Sequence, residues 1–286
     1  MCAKIALVKD LHTPLDWIDP TCGPATWTSH GPWTIGHWPQ VDSTNSTAHR
    51  ALHSGITPAA LHRTVYTAAH QFQGRGQNTR VWSGESEKDL AMSILLTQSL
   101  PSTSPFALNL AVSLSVLEGI ESHLPQFQSA ALEIKWPNDI MLKGKKAGGI
   151  LIENNWRGNS WSSAVIGIGL NVGGNAPYPN AIRLMTPSET NAASISLLEE
   201  HILNRLDARL SEMASSDTLL RQYHERLLGW GCQQRWQLDG KEIRGVLERI
   251  DLDGRLCVIN ASGMSCHAPG EVGWLGMEPR RPFPSD

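Results

Sequence analysis

No stretch of this 286-residue chain holds the roughly 18 consecutive apolar residues that a membrane span requires, and its longest apolar runs are strand-sized. Lys4 and Lys9 enclose only Ile5, Ala6, Leu7 and Val8, far short of the about 7 to 15 apolar residues of a signal-peptide core. The chain is therefore expected to be soluble and cytoplasmic, with no membrane partner. Charge of one sign is missing too: 24 Lys+Arg against 27 Asp+Glu leave a net −3, so there is no general electrostatic attraction for duplex nucleic acid or an anionic membrane. Cysteine is scarce. Cys2, Cys22, Cys232, Cys257 and Cys266 are odd in number and contain no CxxC pair, which reads as free thiols in a reducing compartment. No internal repeat and no low-complexity tract suggests a solenoid.

At about 100 to 200 residues per domain, the length fits one large domain, or one large and one small. Residues 1–37 hold Trp17, Trp27 and Trp33 among Pro20, Pro24 and Pro32, an irregular wrap leading into one strand near Trp33–Trp38. Asp42 or Ser43 is placed to cap a helix over 44–54, closed by Gly55; Arg63–Ala69 and Asp89–Thr97 read as strands. From Ser104 and Pro105, apolar residues from Phe106 to Leu124 recur at helical steps. Leu132–Trp136, Asp139–Leu142, Gly149–Glu153 and Ala164–Val172 are short strands, with a turn over Asn154–Asn159. Two helices follow, one marked by Ile195 to Leu210 and one over Leu219–Leu228. After Gly229, short strands are divided by Asp239-Gly240 and Asp253-Gly254, both strong hairpin signals. The expected fold class is α+β: a mixed sheet with helices, spanning 38–228, then a small barrel over 229–278. Residues 279–286 read as a disordered tail.

The familiar phosphate loops are absent. Gly74-Arg75-Gly76-Gln77-Asn78-Thr79 lacks the last glycine of a dinucleotide fingerprint, Gly167-Ile168-Gly169-Leu170-Asn171-Val172 fails similarly, and no GxxxxGK[ST] occurs. Even so, Gly74, Arg75, Gly76 and Arg80 offer backbone N–H groups and guanidinium forks to an anion, the alternative being a solvated hairpin. Lys135, Lys143, Lys145 and Lys146 concentrate positive charge beside strand ends, where Asp139 either holds a metal ion or caps a turn. Small residues within 167–172 weaken a strand unless a ligand or another backbone comes close, and Asn171 offers a paired donor and acceptor suited to a base or amide edge, or else bonds its own turn. His49 and His53 lack a third ligand and read as surface residues; His70 reads as a pocket wall.

In order, Asp42-Ser43-Thr44-Asn45, Gln71 before Gly74-Arg75-Gly76 and Trp82, Lys135-Trp136-Pro137-Asn138-Asp139, Gly144-Lys145-Lys146 before Gly149-Ile150-Leu151, and Gly167-Ile168-Gly169-Leu170-Asn171 give the chain its resemblance to biotin protein ligases. It runs from about Trp38 to Val172. The strands over 232–276 are similar to that family's C-terminal SH3-like domain, while the first 37 residues match nothing recognisable and show no DNA-binding winged helix. The resemblance implies a class II synthetase-like catalytic domain of the monofunctional type. Its chemistry makes biotinyl-5'-AMP from biotin and Mg-ATP, Mg²⁺ included, then passes biotin to a lysine of a carboxylase biotin-carrier domain. By the same resemblance Ser43, Thr44, Asn45, Gln71, Gly74, Arg75, Gly76, Lys146, Gly149 and Gly169 take biotin; Arg75, Arg80, Trp82, Lys135, Asn138 and Asn171 take ATP or the adenylate; Lys146 and Arg75 are catalytic; and Asp139 is the candidate for Mg²⁺. Lys146 rather than Lys145 follows from its spacing to Gly149. Many members carry arginine at the position of Gln77 and glycine at that of Thr79, so looser retention of biotinyl-AMP is expected. A homodimer, and no DNA partner, complete the expectations; lipoate ligation and non-enzymatic sensing of biotin are the alternatives.

Overall fold

The computed structural model describes residues 13–77, 80–98, 104–128 and 132–277; the tail at 279–286 and Thr79 lie outside them. In chain order, β1 (Thr26–His30), β2 (Trp33–Val41), α1 (Thr44–Leu52), α2 (Pro58–Leu61), β3 (Thr64–Gln71) and β4 (Leu90–Leu96) precede α3 (Pro105–His123). Next come β5 (Leu132–Lys135), β6 (Asp139–Leu142), β7 (Lys145–Arg157), β8 (Ser160–Leu170), α4 (Ala192–Glu212) and α5 (Ser216–Glu225). The chain closes with β9 (Gln233–Leu238), β10 (Lys241–Ile250), β11 (Leu256–Asn260), β12 (Gly263–His267) and β13 (Val272–Met277). These form two compact units: Met1–Ser99 with Lys145–Asn204, and Leu100–Gly144 with Arg205–Asp286. No helix among the described residues is long and apolar enough to cross a membrane.

In the first unit the strands run in the order β1-β2-β3-β4-β8-β7. Only β2 and β3 are parallel; the other neighbours are antiparallel, so the sheet is mixed as expected. Several boundaries differ from the sequence reading: β7 starts at Lys145 rather than Gly149, and the short helix α2 was not expected. The segment before Trp33 contains β1, a hairpin partner of β2 turned at Gly31, whose mostly polar sequence around the half-buried Trp27 carries no alternation. Strands β7 and β8 also extend to Arg157 and from Ser160, turning on Gly158 at positive φ, because Asn154 and Asn155 are tied across the pair to Trp161 and Ser163.

Helix α1 starts at Ser43, whose side chain makes no capping bond, and buries Thr44, Ala48 and Ala51. Beneath it Trp17, Trp38, Tyr66, Leu95 and Val165 form a cluster in which Trp38 stacks on Tyr66 at 5.9 Å and Trp17 meets both edge-on. The tryptophan-rich wrap is thus core, and large aromatic rings supply much apolar area there. Asp19, fully buried, accepts from the backbone N–H groups of Thr21 and Cys22 and from Arg50 of α1 at 3.0 Å. Arg50 also forks onto both oxygens of Asp42 at 2.8 Å. Burial opposes ionisation of Asp42, yet the Arg50 hydrogen bonds hold its carboxyl below the usual range.

Helix α4 begins in this unit and carries Glu199, 3% exposed, one of whose oxygens is buried without a hydrogen-bond partner. Burial, with Glu200 beside it, pushes this carboxyl up to about 8 from 4.5. Its folded pKa lies above its unfolded one, so the folded state binds the extra proton and stability declines as pH rises from about 4.5 to about 8. Glu199→Gln is expected to raise Tm at pH 8 by about 3 °C or more, with a smaller difference at pH 5. Parallel Tm-against-pH curves for the two proteins would refute this.

The second unit joins α3, α5 and the β5–β6 hairpin to a five-stranded antiparallel sheet in the order β12-β11-β10-β9-β13. Ser104 caps α3 by accepting from Phe106 N–H, and Pro105 occupies the first turn as its fixed φ favours. Asp239 and Gly240 both have positive φ, the requirement of a tight two-residue hairpin between β9 and β10. One expectation fails here. Cys257 and Cys266 lie directly opposite each other on β11 and β12 and are joined by a disulfide, leaving Cys22 and Cys232 as the free thiols among the described residues. A hairpin register sets this pair, and neither cysteine parity nor a CxxC search detects it.

Candidate functional site

The sheet of the first unit brings four of the sequence blocks together. Thr44, at the start of α1, donates its backbone N–H and hydroxyl to Gln71 Oε1 at 2.8 and 3.1 Å. Ser93 Oγ on β4 lies 2.7 Å from Thr44 Oγ1 and 2.5 Å from Asn45 Oδ1. Asn45 then donates through Nδ2 to Glu153 Oε2 on β7 at 2.9 Å. Ser43, Thr44 and Asn45 are all buried, so this row of polar groups is fixed by its own hydrogen bonds.

Loop 74–82 folds back on itself. Trp82 N–H donates to Gly74 O and Gly76 N–H to Arg80 O, while Arg75 bridges to Val81. A Cβ on Gly74 would lie 2.3 Å from Trp82 O, so only glycine permits the turn. The hairpin alternative for this loop is therefore realised in its backbone, and its guanidinium is engaged: Arg75, 45% exposed, reaches Glu153 Oε1 at 2.8 Å. Arg80 and Gln77 are exposed.

The small residues of β8 are explained by side chains of this protein rather than by a backbone. A Cβ at Gly167 would meet Asn45 Oδ1 at 2.2 Å, and one at Gly169 would meet the Trp82 ring at 2.4 Å. Gly149 on β7 stands opposite Gly169. Asn171 donates through Nδ2 to Lys146 O and Ile182 O at 3.3 and 3.4 Å, while its Oδ1 is buried without a partner. Trp82 Nε1 and His70 Nδ1 are likewise buried without partners. Such orphaned polar atoms are costly in a core, and a ligand that bonds them relieves the cost. Lys146 is half-buried and pinned through its backbone to Asn180 and Ile182; Lys145 is exposed.

Sequence reasoning missed three groups here. Glu153 accepts from Asn45, His49 and Arg75, and its carboxyl is held down to about 2, chiefly by the His49 hydrogen bond, against the burial that would raise it. His49 is thus half-buried against Glu153, correcting its reading as a surface residue. Ser93 is fully buried between Thr44 and Asn45. Asp89, at the start of β4, accepts from the N–H groups of Glu85, Val172 and Gly174 and fixes the end of the Gly167–Asn171 segment. The one available signal was an acidic residue heading an apolar strand.

Lys135, Asn138 and Asp139 belong to the second unit. There Lys135 lies opposite Asp139 in the hairpin, 3.3 Å from its Oδ2, and 5.0 Å from the centre of the Trp274 ring, a cation–π distance. Trp136 Nε1 donates to Gly254 O and Tyr223 OH to Pro137 O, so the five-stranded sheet and α5 hold this hairpin. Asn138 is buried. One oxygen of Asp139 takes the Lys135 ammonium group. Among the described residues the one group with metal-ligand spacing is Asp251, Cys257 and Cys266, and its cysteines form the disulfide.

A sequence model of the biotin/lipoate A/B protein ligase family matches residues 39–171. The chain is 30% identical over 230 residues to a biotin--[acetyl-CoA-carboxylase] ligase of Mycobacterium tuberculosis, covering 77% of this chain and 84% of that protein. It is 29% identical over 231 residues to the bifunctional ligase/repressor BirA of Bacillus spizizenii, covering 78% and 69%. In fold it is similar to the biotin protein ligase from Aquifex aeolicus solved with biotin and ATP, at a TM-score of 0.66 and 22% identity over 84% of this chain and 97% of that one. With a relative of that identity matched over most of its length, and with four of the family's motifs gathered in the first unit, the chain belongs to the biotin protein ligases of the biotin/lipoate A/B protein ligase family.

Proposed function

We infer that this chain activates biotin with ATP to biotinyl-5'-AMP and transfers the biotinyl group to a lysine of a carboxylase biotin-carrier domain. The observation that carries this reading is the convergence of the Asp42–Asn45, Gln71–Trp82 and Gly167–Asn171 blocks through Glu153 and Gly169. The buried row from Gln71 to Asn45 supplies directed donors and acceptors, which is what the polar ureido head of biotin requires.

The biotin carboxylate is ionised at neutral pH and needs no general base. Its oxygen attacks the α-phosphorus of ATP, and the bond to the departing pyrophosphate breaks. Two anionic groups approach in that step, so fixed cations must offset their repulsion; Arg75 and Lys146 take this role. Mg²⁺ enters as Mg-ATP with the substrate. The Trp82 ring, packed on Gly169, and Asn171 Oδ1 line the adenylate, and Arg80 adds charge at the loop. Lys135 and Asn138 are assigned to the nucleotide by family resemblance. In the second step the carrier lysine amine attacks the acyl carbon, the amide forms, and AMP leaves. This reading places the reaction in the cytoplasm, where ATP and biotin-dependent carboxylases are found.

The test of the first step is biotin-dependent exchange of pyrophosphate into ATP. Exchange with biotin and none with lipoate is expected; exchange driven by lipoate alone would overturn the reading. A further expectation concerns Gln77, exposed on the loop, whose neutral side chain gives the adenylate one cation fewer than arginine would. Gln77→Arg should slow release of biotinyl-AMP into solution, measured by trapping with hydroxylamine, and equal release from both proteins would contradict it.

A further inference from the structure

Glu153 sits where the two halves of the site meet, and no family motif invoked above includes it. Its Oε2 takes Asn45 Nδ2 at 2.9 Å and His49 Nε2 at 3.1 Å, and its Oε1 takes Arg75 at 2.8 Å. Each oxygen therefore has a separate duty. Oε2 fixes which end of the Asn45 amide faces Ser93: with Nδ2 committed to a carboxylate, Oδ1 must be the atom beside Ser93 Oγ. Oε1 holds one terminal nitrogen of the Arg75 guanidinium, and the fork retains its other N–H donors for an anion. Geometry leaves little freedom on the Asn45 side, because the Asn45 amide is wedged against Gly167.

We propose that Glu153 is a positioning residue for the adenylation step, coupling the Asn45 amide and the Arg75 guanidinium so that the biotin head and the reacting carboxylate are held in one register. A carboxylate suits this duty because it is acceptor-only, and its depressed pKa keeps it so throughout the physiological range. Positioning of this kind acts through Arg75: a guanidinium that swings freely costs rate, since small misplacements of a charged group at a reacting centre are severe. The proposal rests on the ligase reading above for the identity of the reaction.

The two oxygens separate under substitution. Glu153→Gln retains an oxygen that can accept from Asn45 but sets an NH₂ group against Arg75. It is expected to lower kcat of biotin-dependent pyrophosphate exchange about tenfold while changing the KM for biotin little. Glu153→Ala loses both contacts and is expected to change kcat and KM together. The deciding measurement is a double-mutant cycle with Arg75→Ala. If Glu153 acts through Arg75, Glu153→Gln costs little more once Arg75 is gone; a fully additive loss, or an unchanged or faster kcat in Glu153→Gln alone, overturns the proposal. Thermal unfolding of each variant identifies loss of fold. A cycle of Glu153→Ala with Arg75→Ala, run on biotin affinity by calorimetry without ATP, separates the two claims. Absence of exchange in the unsubstituted protein sinks the ligase reading, while non-additive biotin affinities still uphold the Glu153–Arg75 coupling and additive ones overturn it.

Discussion

Lys146→Ala is expected to lower biotinyl-AMP formation by about a hundredfold or more, the usual cost of removing a fixed donor from a developing charge, whereas Lys145→Ala leaves it essentially unchanged. The two lysines are adjacent, so composition cannot separate them. Burial and anchoring do. Lys146 is half-buried, and its N–H donates to Asn180 O while its own carbonyl accepts from Ile182 N–H and the Asn171 amide. Lys145 is exposed and begins the strand. Alternation along a strand sets neighbours on opposite sides, so the two substitutions probe different surfaces. Formation of the adenylate is measured in a single turnover without a carrier domain, which removes the transfer step from the readout. Equal losses from the two changes, or a larger loss from Lys145→Ala, would contradict the assignment.

The second large effect is on stability and lies far from any motif. Asp19→Ala is expected to destabilise the protein by about 3 kcal/mol, the cost of removing one partner of a buried ion pair, and to lower Tm by about 6 to 12 °C. Asp19 is fully buried and does two things at once, bonding Arg50 and satisfying the backbone of Thr21 and Cys22. Its loss leaves those N–H groups unpaired and leaves Arg50 with Asp42 as its remaining carboxylate partner. Since Asp42 leads directly into Ser43, Thr44 and Asn45, the KM for biotin should rise along with the loss of stability. Thermal unfolding near pH 7 checks the first effect, and an unchanged Tm would show that the N-terminal wrap does not brace α1.

Both predictions bear on what the sequence could convey. Local signals were legible where one residue type has one structural use. Ser104 and Pro105 opened α3, Asp239-Gly240 turned β9 into β10, alternation marked β3 and an apolar run marked β4. The motifs of the first unit were legible as blocks, and the structure brings Thr44, Asn45, Gln71, Arg75, Trp82 and Gly169 close together. Groups whose meaning depends on distant partners were not. Glu153 looks like any strand-end acid until Asn45 and Arg75 come to it across 108 and 78 residues. Asp19 is one acid among loop residues until Arg50 reaches it from α1. The Cys257–Cys266 disulfide exists because two strands pair in one particular register. Strand β1 escaped notice because it is an exposed edge, where burial imposes no alternation.

The stereochemistry of the glycines also corrects a natural inference. Small residues in a strand suggest space left for a ligand, yet here Gly167 and Gly169 admit Asn45 and Trp82. Those side chains in turn are the ones assigned to biotin and to the adenylate. The glycines therefore act one step removed, by letting the contact residues lie against the sheet.

The most direct measurement is the intact mass of a biotin-carrier domain after incubation with this protein, Mg-ATP, and either biotin or lipoate in parallel. The account predicts a single biotinyl addition with biotin and none with lipoate, lost when the acceptor lysine of the carrier is replaced. A shift with lipoate alone, or no shift with biotin on any carrier domain despite tight biotin binding, would contradict it.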